Sequence, residues 1–159
     1  VATAVIMFLG EQYTFSGGAI GLHALSIANH KAGLHFVPAV ALGIMCNALV
    51  CLAVWLTYSA RTTTDKILAI IFPIAAFIAA GFEHSVANMY YIPLAMFVQW
   101  GAPESFWTNI HKTPADFPNL NLYNFLVGNL LPVTTGNIIG GAVMVGAVYW
   151  FVYLRKRAG

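Results

Sequence analysis

The chain has 159 residues, 60% of them hydrophobic and only 8% charged, where a soluble domain carries about a quarter charged residues. Its net charge of +2 rests on seven Lys and Arg against five Asp and Glu, and its mean hydropathy is +0.77. So few and scattered basic residues exclude a nucleic-acid footprint, and lipid is the expected solvent, which predicts an all-α membrane protein.

In chain order, the first element is the apolar run VATAVIMFL, residues 1–9. It has no basic leader and no cleavage pattern, so it does not read as a signal peptide. As a helix it would rise about 13 Å, under half of a bilayer core of roughly 30 Å. It is therefore expected to be the partial tail of a span, in a sequence that begins inside a longer protein. Residues 10–33, rich in glycine and polar groups with His23, His30 and Lys31, are expected to form a loop. Residues 34–58, LHFVPAVALGIMCNALVCLAVWLTY, have the length of a complete span, with one proline near the start where helices tolerate it. Cys46 and Cys51 lie in that apolar run at a spacing that fits neither a metal or redox pair nor a disulfide framework, and they read as packing residues.

The polar link SARTTTDK leads into residues 67–98, which as one helix would rise about 48 Å, more than a membrane needs. The excess predicts a broken helix. The break belongs near 77–85, where Gly81-Phe82-Glu83-His84-Ser85 puts a glycine and two ionisable groups inside the apolar stretch. Residues 99 to about 124 hold Pro103, Pro114 and Pro118 and are flanked by Trp100, Trp107 and Tyr123, as interfacial belts are. A last span covers 125–154 and ends in Arg155-Lys156-Arg157. Arg61, Lys66 and those three residues fall on one side and Lys31 and Lys112 on the other, which puts the C-terminus in the cytoplasm. The whole of 1–159 reads as a single transmembrane domain.

Glu83 and His84 are the sharpest signal, because ionisable groups at mid-bilayer cost about 2.5–3.5 kcal/mol each on insertion scales and usually face a bundle interior or a wet path. Alternatively, Glu83 satisfies backbone groups at the break and His84 packs as a neutral ring. A half-helix starting near Ser85, a good N-cap, would present its partial positive charge at the depth of the histidine, which suits a weak-acid anion. Asn47 and Asn88, polar groups deep in apolar runs, either flank a pore or bond between helices. Lys31 either gathers anions at an external entrance or binds lipid phosphate. Phe77, about two turns before His84, either packs or forms an apolar constriction. Gly136, Gly140, Gly141 and Gly146 give small-xxx-small spacing for close helix contact, within a protomer or between protomers.

GFEHSVANMYYIPLAMF (Gly81 to Phe97), NLLPVTTGNIIGGAVMVG (Asn129 to Gly146) and HKAGLHFVPAVALGIMCNALVCLAVWL (His30 to Leu56) resemble the formate/nitrite transporter family. The resemblance covers nearly the whole chain. It implies an aquaporin-like helical bundle with inverted halves and two broken helices, of which this chain holds the end of helix 3 and helices 4 to 6. It further implies a homopentamer in the inner membrane, each protomer with its own pore. His84 matches the family's central pore histidine, Phe77 its constriction phenylalanine, Lys31 the lysine of the external vestibule, and Asn47 and Asn88 pore-side asparagines; Glu83 stands beside the histidine.

The activity implied is passage of small monovalent anions, formate first, with nitrite or hydrosulfide as the alternative. A bare anion is penalised in a low-dielectric constriction and protonation removes most of that penalty, so a proton from His84 is one mechanism and polarisation by the ring another. No catalytic residue, metal or cofactor is implied, and the chain is not an enzyme. From a different class, a haem-binding membrane oxidoreductase subunit would need axial histidines, yet only His84 lies deep in a span. An aquaglyceroporin would need an Asn-Pro-Ala triplet, which does not occur.

Overall fold

The structure, a computed structural model, describes residues 1–155, and those residues are helices and turns with no strand. Six helices occupy the first two thirds of the chain: α1 Ala2–Leu9, α2 Ala19–Ala32, α3 Phe36–Thr57, α4 Thr63–Ala79, α5 Ser85–Gly101 and α6 Glu104–Asn109. A final helix runs Asn124–Leu154, and among the described residues it and α3 are the two helices long and apolar enough by themselves to cross a membrane. The chain divides into two compact units, one of Val1–Phe36 with Ser85–Leu131, the other of Val37–His84 with Pro132 onward.

In the first unit the stretch expected to be a loop is a correction. Residues 12–18 form tight turns interrupted at Phe15, Ser16 and Gly17, and residues 19–32 are a regular helix, α2. The reason is periodicity. Gly21, Leu25, Ala28 and Ala32 recur at helical spacing and are all buried, so α2 presents a narrow small-residue face. That face packs against α5, which α1 also contacts, around a core that includes Leu25, Ile92, Val98, Phe106 and Trp107. A Cβ on Gly21 would stand 2.7 Å from both the Tyr13 carbonyl oxygen and the Phe106 ring, so the close approach requires glycine. Tyr13 meets Phe106 edge-on at 5.1 Å between centroids. In the last turn of α5, Gln99 donates to the carbonyls of Pro114 and Phe117 at 3.0 and 3.1 Å and so pins the proline-rich loop.

In the second unit α3 buries Ala39, Gly43, Cys46, Ala48 and Ala53. Small residues on one stripe let the final helix approach at backbone distance. Gly136 and Gly140 face Val40, Gly43 and Ile44 across that seam, and Gly141 faces Asn47 and Cys51. The glycine pattern of the last span therefore makes an intrachain contact here. Gly146 takes no part, since a Cβ there meets only the Gly141 carbonyl oxygen at an ordinary 3.4 Å. Cys46 is buried and Cys51 half-buried.

The span placed at 67–98 begins earlier and extends later than its apolar residues indicate. Thr62 accepts from the Asp65 amide at 3.1 Å while the Asp65 carboxylate accepts from the Thr62 amide at 3.1 Å, a capping box that starts α4 at Thr63. α4 ends at Ala79, residues 80–84 are not helical, and α5 starts at Ser85. No residue of α4 is buried within the chain, and Ile67, Leu68, Ile71, Phe72 and Ile78 are open. Such an apolar surface belongs against lipid or other protein. The final helix alternates between ordinary turns, over Leu131–Ile138, and wider i→i+5 turns over Asn124–Leu130, Ile139–Ala147 and Trp150–Leu154. At its far end Trp55 stacks on Tyr149, and the Arg155 guanidinium lies over the Phe151 ring at 5.1 Å. Of the basic residues used to orient the chain, Lys156 and Arg157 lie outside the described residues.

Candidate functional site

Polar side chains in an apolar chain gather at two places, one in each unit. In the second unit the centre is the unwound segment after α4. The Gly81 amide still bonds back to the Ile78 carbonyl and the Phe82 amide to the Phe77 carbonyl, each at 3.1 Å, and Gly81 then takes a left-handed φ of +67°. This conformation costs glycine little and other residues more, so the glycine marks where the helix stops. Glu83 follows, only 2% exposed, and then His84, half-buried. The rings of Phe77 and His84 lie 6.2 Å apart between centroids and are inclined by 32°. An apolar ring and a titratable ring thus stand side by side, although α4 ends between them.

Unwinding frees backbone groups that lipid cannot satisfy. Asn137 of the final helix supplies part of the answer. Its Nδ2 donates to the Gly43 carbonyl at 2.9 Å and to the Glu83 carbonyl at 3.0 Å. Its own backbone carbonyl accepts from Asn47 Nδ2 at 2.7 Å. One asparagine therefore ties α3, the unwound segment and the final helix. Among the expected site residues of this unit, Asn47, Phe77, Glu83 and His84 are all linked to this arrangement, Asn47 and Glu83 through Asn137 and Phe77 through the histidine ring.

The first unit holds Lys31 and Asn88. Asn88 is fully buried and its Nδ2 donates at 2.7 Å to the Oδ1 of Asn129, also fully buried. Asn129 Nδ2 in turn donates to the Lys31 carbonyl at 2.9 Å. Lys31 and Asn88, separated in sequence by all of α3 and α4, are joined through the side chain of Asn129. Lys31 lies in the last turn of α2, half-buried.

Asn129 and Asn137 were not singled out by the sequence reasoning. The signal was available, because an asparagine in an apolar span needs a partner as much as Asn47 does. Both stood inside a run quoted for its resemblance and its glycines. Among the described residues no group of three or more His, Cys, Asp or Glu side chains could hold a metal ion.

Residues 1–151 match the formate/nitrite transporter family. The formate channel FocA of Escherichia coli (strain K12) is 45% identical over 153 residues, which are 96% of this chain and 54% of that protein. The formate channel FocB of the same strain is 47% identical over 137 residues, 86% of this chain and 49% of that one. The chain thus spans about half the length of these curated relatives. A solved pentameric formate channel with formate bound is 49% identical, superposes with a TM-score of 0.90, and covers 96% of this chain with 60% of its own. The mostly helical architecture is that channel's fold, and apolar helices of this kind make a membrane protein. With a family match over nearly its whole length and relatives that are channels and not enzymes, the chain belongs to the formate/nitrite transporter family.

Proposed function

We propose that the protein of which this chain is part carries formate across the inner membrane, with Phe77 and His84 at the step where the anion loses its water. The observation that carries this reading is the pairing of the two rings at 6.2 Å on an unwound segment, in a chain 49% identical to a channel solved with formate bound. Phe77 supplies an apolar wall that disfavours water. In so dry a place a carboxylate is costly and its neutral acid is not. His84 lowers the barrier by lending a proton to the anion or by donating a hydrogen bond to it. The ring is the suitable donor because imidazole is the side chain whose protonation changes most readily near neutrality.

Lys31 is the residue that gathers anions at the external side, by raising their local concentration. Asn47, Asn88 and Glu83 shape the polar parts of the path and hold its backbone. The protomer works as one of five in a homopentamer, in line with the pentameric relative, and its C-terminus is cytoplasmic, in line with the basic residues at Arg61, Lys66 and the chain end. Nitrite and hydrosulfide, also small monovalent conjugates of weak acids, serve as competing solutes. The haem-carrying alternative has no observation in its favour.

The test is formate flux into proteoliposomes by the full-length parent protein, with and without a pH gradient, against its His84→Asn variant. Flux that responds to pH in the parent and not in the variant is the expected result. An unchanged pH response in the variant makes His84 a structural residue and ends the proton-lending mechanism. Inhibition of formate flux by nitrite and hydrosulfide measures how far the site discriminates among them.

A further inference from the structure

We infer that Asn129 is a positioning residue for anion uptake, acting through Lys31 by fixing the turn of α2 that carries it. The inference rests on the reading of Lys31 as the residue that gathers anions. The last turn of a helix leaves carbonyls without intrahelical partners. The carbonyl of Lys31 is reached by the Leu34 amide only at 3.4 Å, and it takes a closer side-chain donor from a residue 98 positions along the chain, at 2.9 Å. Two residues earlier, the carbonyl and side chain of Asn29 accept from the Nδ2 and backbone amide of Asn119 at 3.2 and 2.9 Å. The turn that bears the lysine is therefore held at two points from outside α2.

The identity of residue 129 follows from these contacts. Its Oδ1 is engaged by Asn88 at 2.7 Å, so the amide must both accept and donate, in opposite directions, at one buried position. Aspartate could accept and not donate when ionised, and leucine could do neither. The Lys31 side chain starts from this turn, so the place of its backbone anchor sets where its ammonium sits. A loosened anchor displaces that charge and weakens the local rise in anion concentration, while the later step at His84 and Phe77 is left as it was.

The test uses the full-length parent in proteoliposomes and measures initial formate uptake against formate concentration. The variants are Lys31→Gln, Asn129→Leu and the double variant. Lys31→Gln should raise the half-saturating concentration by about tenfold, the low end of what a focused field gives, and Asn129→Leu by about threefold, because the charge remains. Maximal uptake should be unchanged in both, and the double variant should be no worse than Lys31→Gln alone. Should Asn129→Leu fail to assemble, Asn129→Ser supplies the same comparison, since a hydroxyl is too short to reach the Lys31 carbonyl. Asn129 variants that leave half-saturation alone while Lys31→Gln shifts it overturn the inference. So do variants that lower maximal uptake only, and a double variant whose shift is the product of the two single shifts. A Lys31→Gln protein that behaves as the parent instead overturns the anion-gathering reading, and the inference with it.

Discussion

Replacing Gly140 by alanine should push the final helix away from α3. A Cβ at this position would overlap the carbonyl oxygen of Ile44 and stand 2.9 Å from its carbonyl carbon and 3.0 Å from its Cα. All three atoms are backbone, so no side chain can swing aside and the helices themselves must part. Overpacking of this kind costs about 1–3 kcal/mol. The bonds from Asn137 to the Gly43 carbonyl and from Asn47 to the Asn137 carbonyl cross the same seam, and each is worth about 0.6 kcal/mol in a membrane. Alanine returns about 1 kcal/mol through its better helix propensity, which leaves a net loss of about 2 kcal/mol. Gly146→Ala is the internal control, because its Cβ meets one carbonyl oxygen at an ordinary 3.4 Å. It should be neutral or slightly stabilising. Unfolding of the full-length parent in mixed micelles with rising dodecyl sulfate, followed by circular dichroism, reads both variants. Equal midpoints for Gly140→Ala and Gly146→Ala would refute the claim that the α3 seam is set by backbone contact.

Asn137→Leu removes one donor each from the carbonyls of Gly43 and Glu83 and should cost about 0.6 kcal/mol for each bond lost; lower stability with faster amide exchange around residues 80–84 is the expected record. Thr62→Ala breaks the capping box of α4 and should cost about 1 kcal/mol, visible as faster exchange at Asp65 and Lys66 with the other helices unaffected. In the proline-rich loop the amide and then the hydroxyl of Thr113 hold the Asp116 carboxyl below the usual carboxylate range. A depressed folded pKa means that the loop contact is fully present above the ordinary carboxylate value and is lost as pH falls through the lowered one. Titration of the Asp116 carboxyl signal by NMR should therefore show a midpoint under 3.8, and Thr113→Ala, which keeps the amide and loses the hydroxyl, should raise it part of the way.

The helices most legible in the sequence were those whose apolar runs end on strong punctuation. α3 and the final helix each begin within two residues of the expected position, because a Pro or an Asn marks the start and a polar link or basic group follows. The break after α4 was legible for a different reason: Gly81, Glu83 and His84 interrupt a stretch too long for one crossing. α2 was not legible as a helix. Its buried face is made of Gly21, Leu25, Ala28 and Ala32, mostly small residues that carry close packing without a long apolar run, while Ser26, Asn29 and two histidines elsewhere on the helix resemble a loop. The site was half legible. Ionisable groups in apolar runs declare themselves, as did Asn47 and Asn88, but the two asparagines that bind those positions together, 129 and 137, act on backbone carbonyls. The partner of such a bond has no letter in the sequence.

The open space around Gly81 has a consequence of its own. No heavy atom lies within 4 Å of where its Cβ would be, yet its φ is +67°. The requirement at this position is therefore one of handedness and not of room. L-alanine there is penalised by roughly 1–2 kcal/mol from its own backbone, whereas D-alanine, introduced by semisynthesis, is the mirror image that prefers this conformation and would stiffen the segment. A single inverted stereocentre would then separate two properties that natural variation must change together, the path the chain takes before His84 and the freedom with which it takes it.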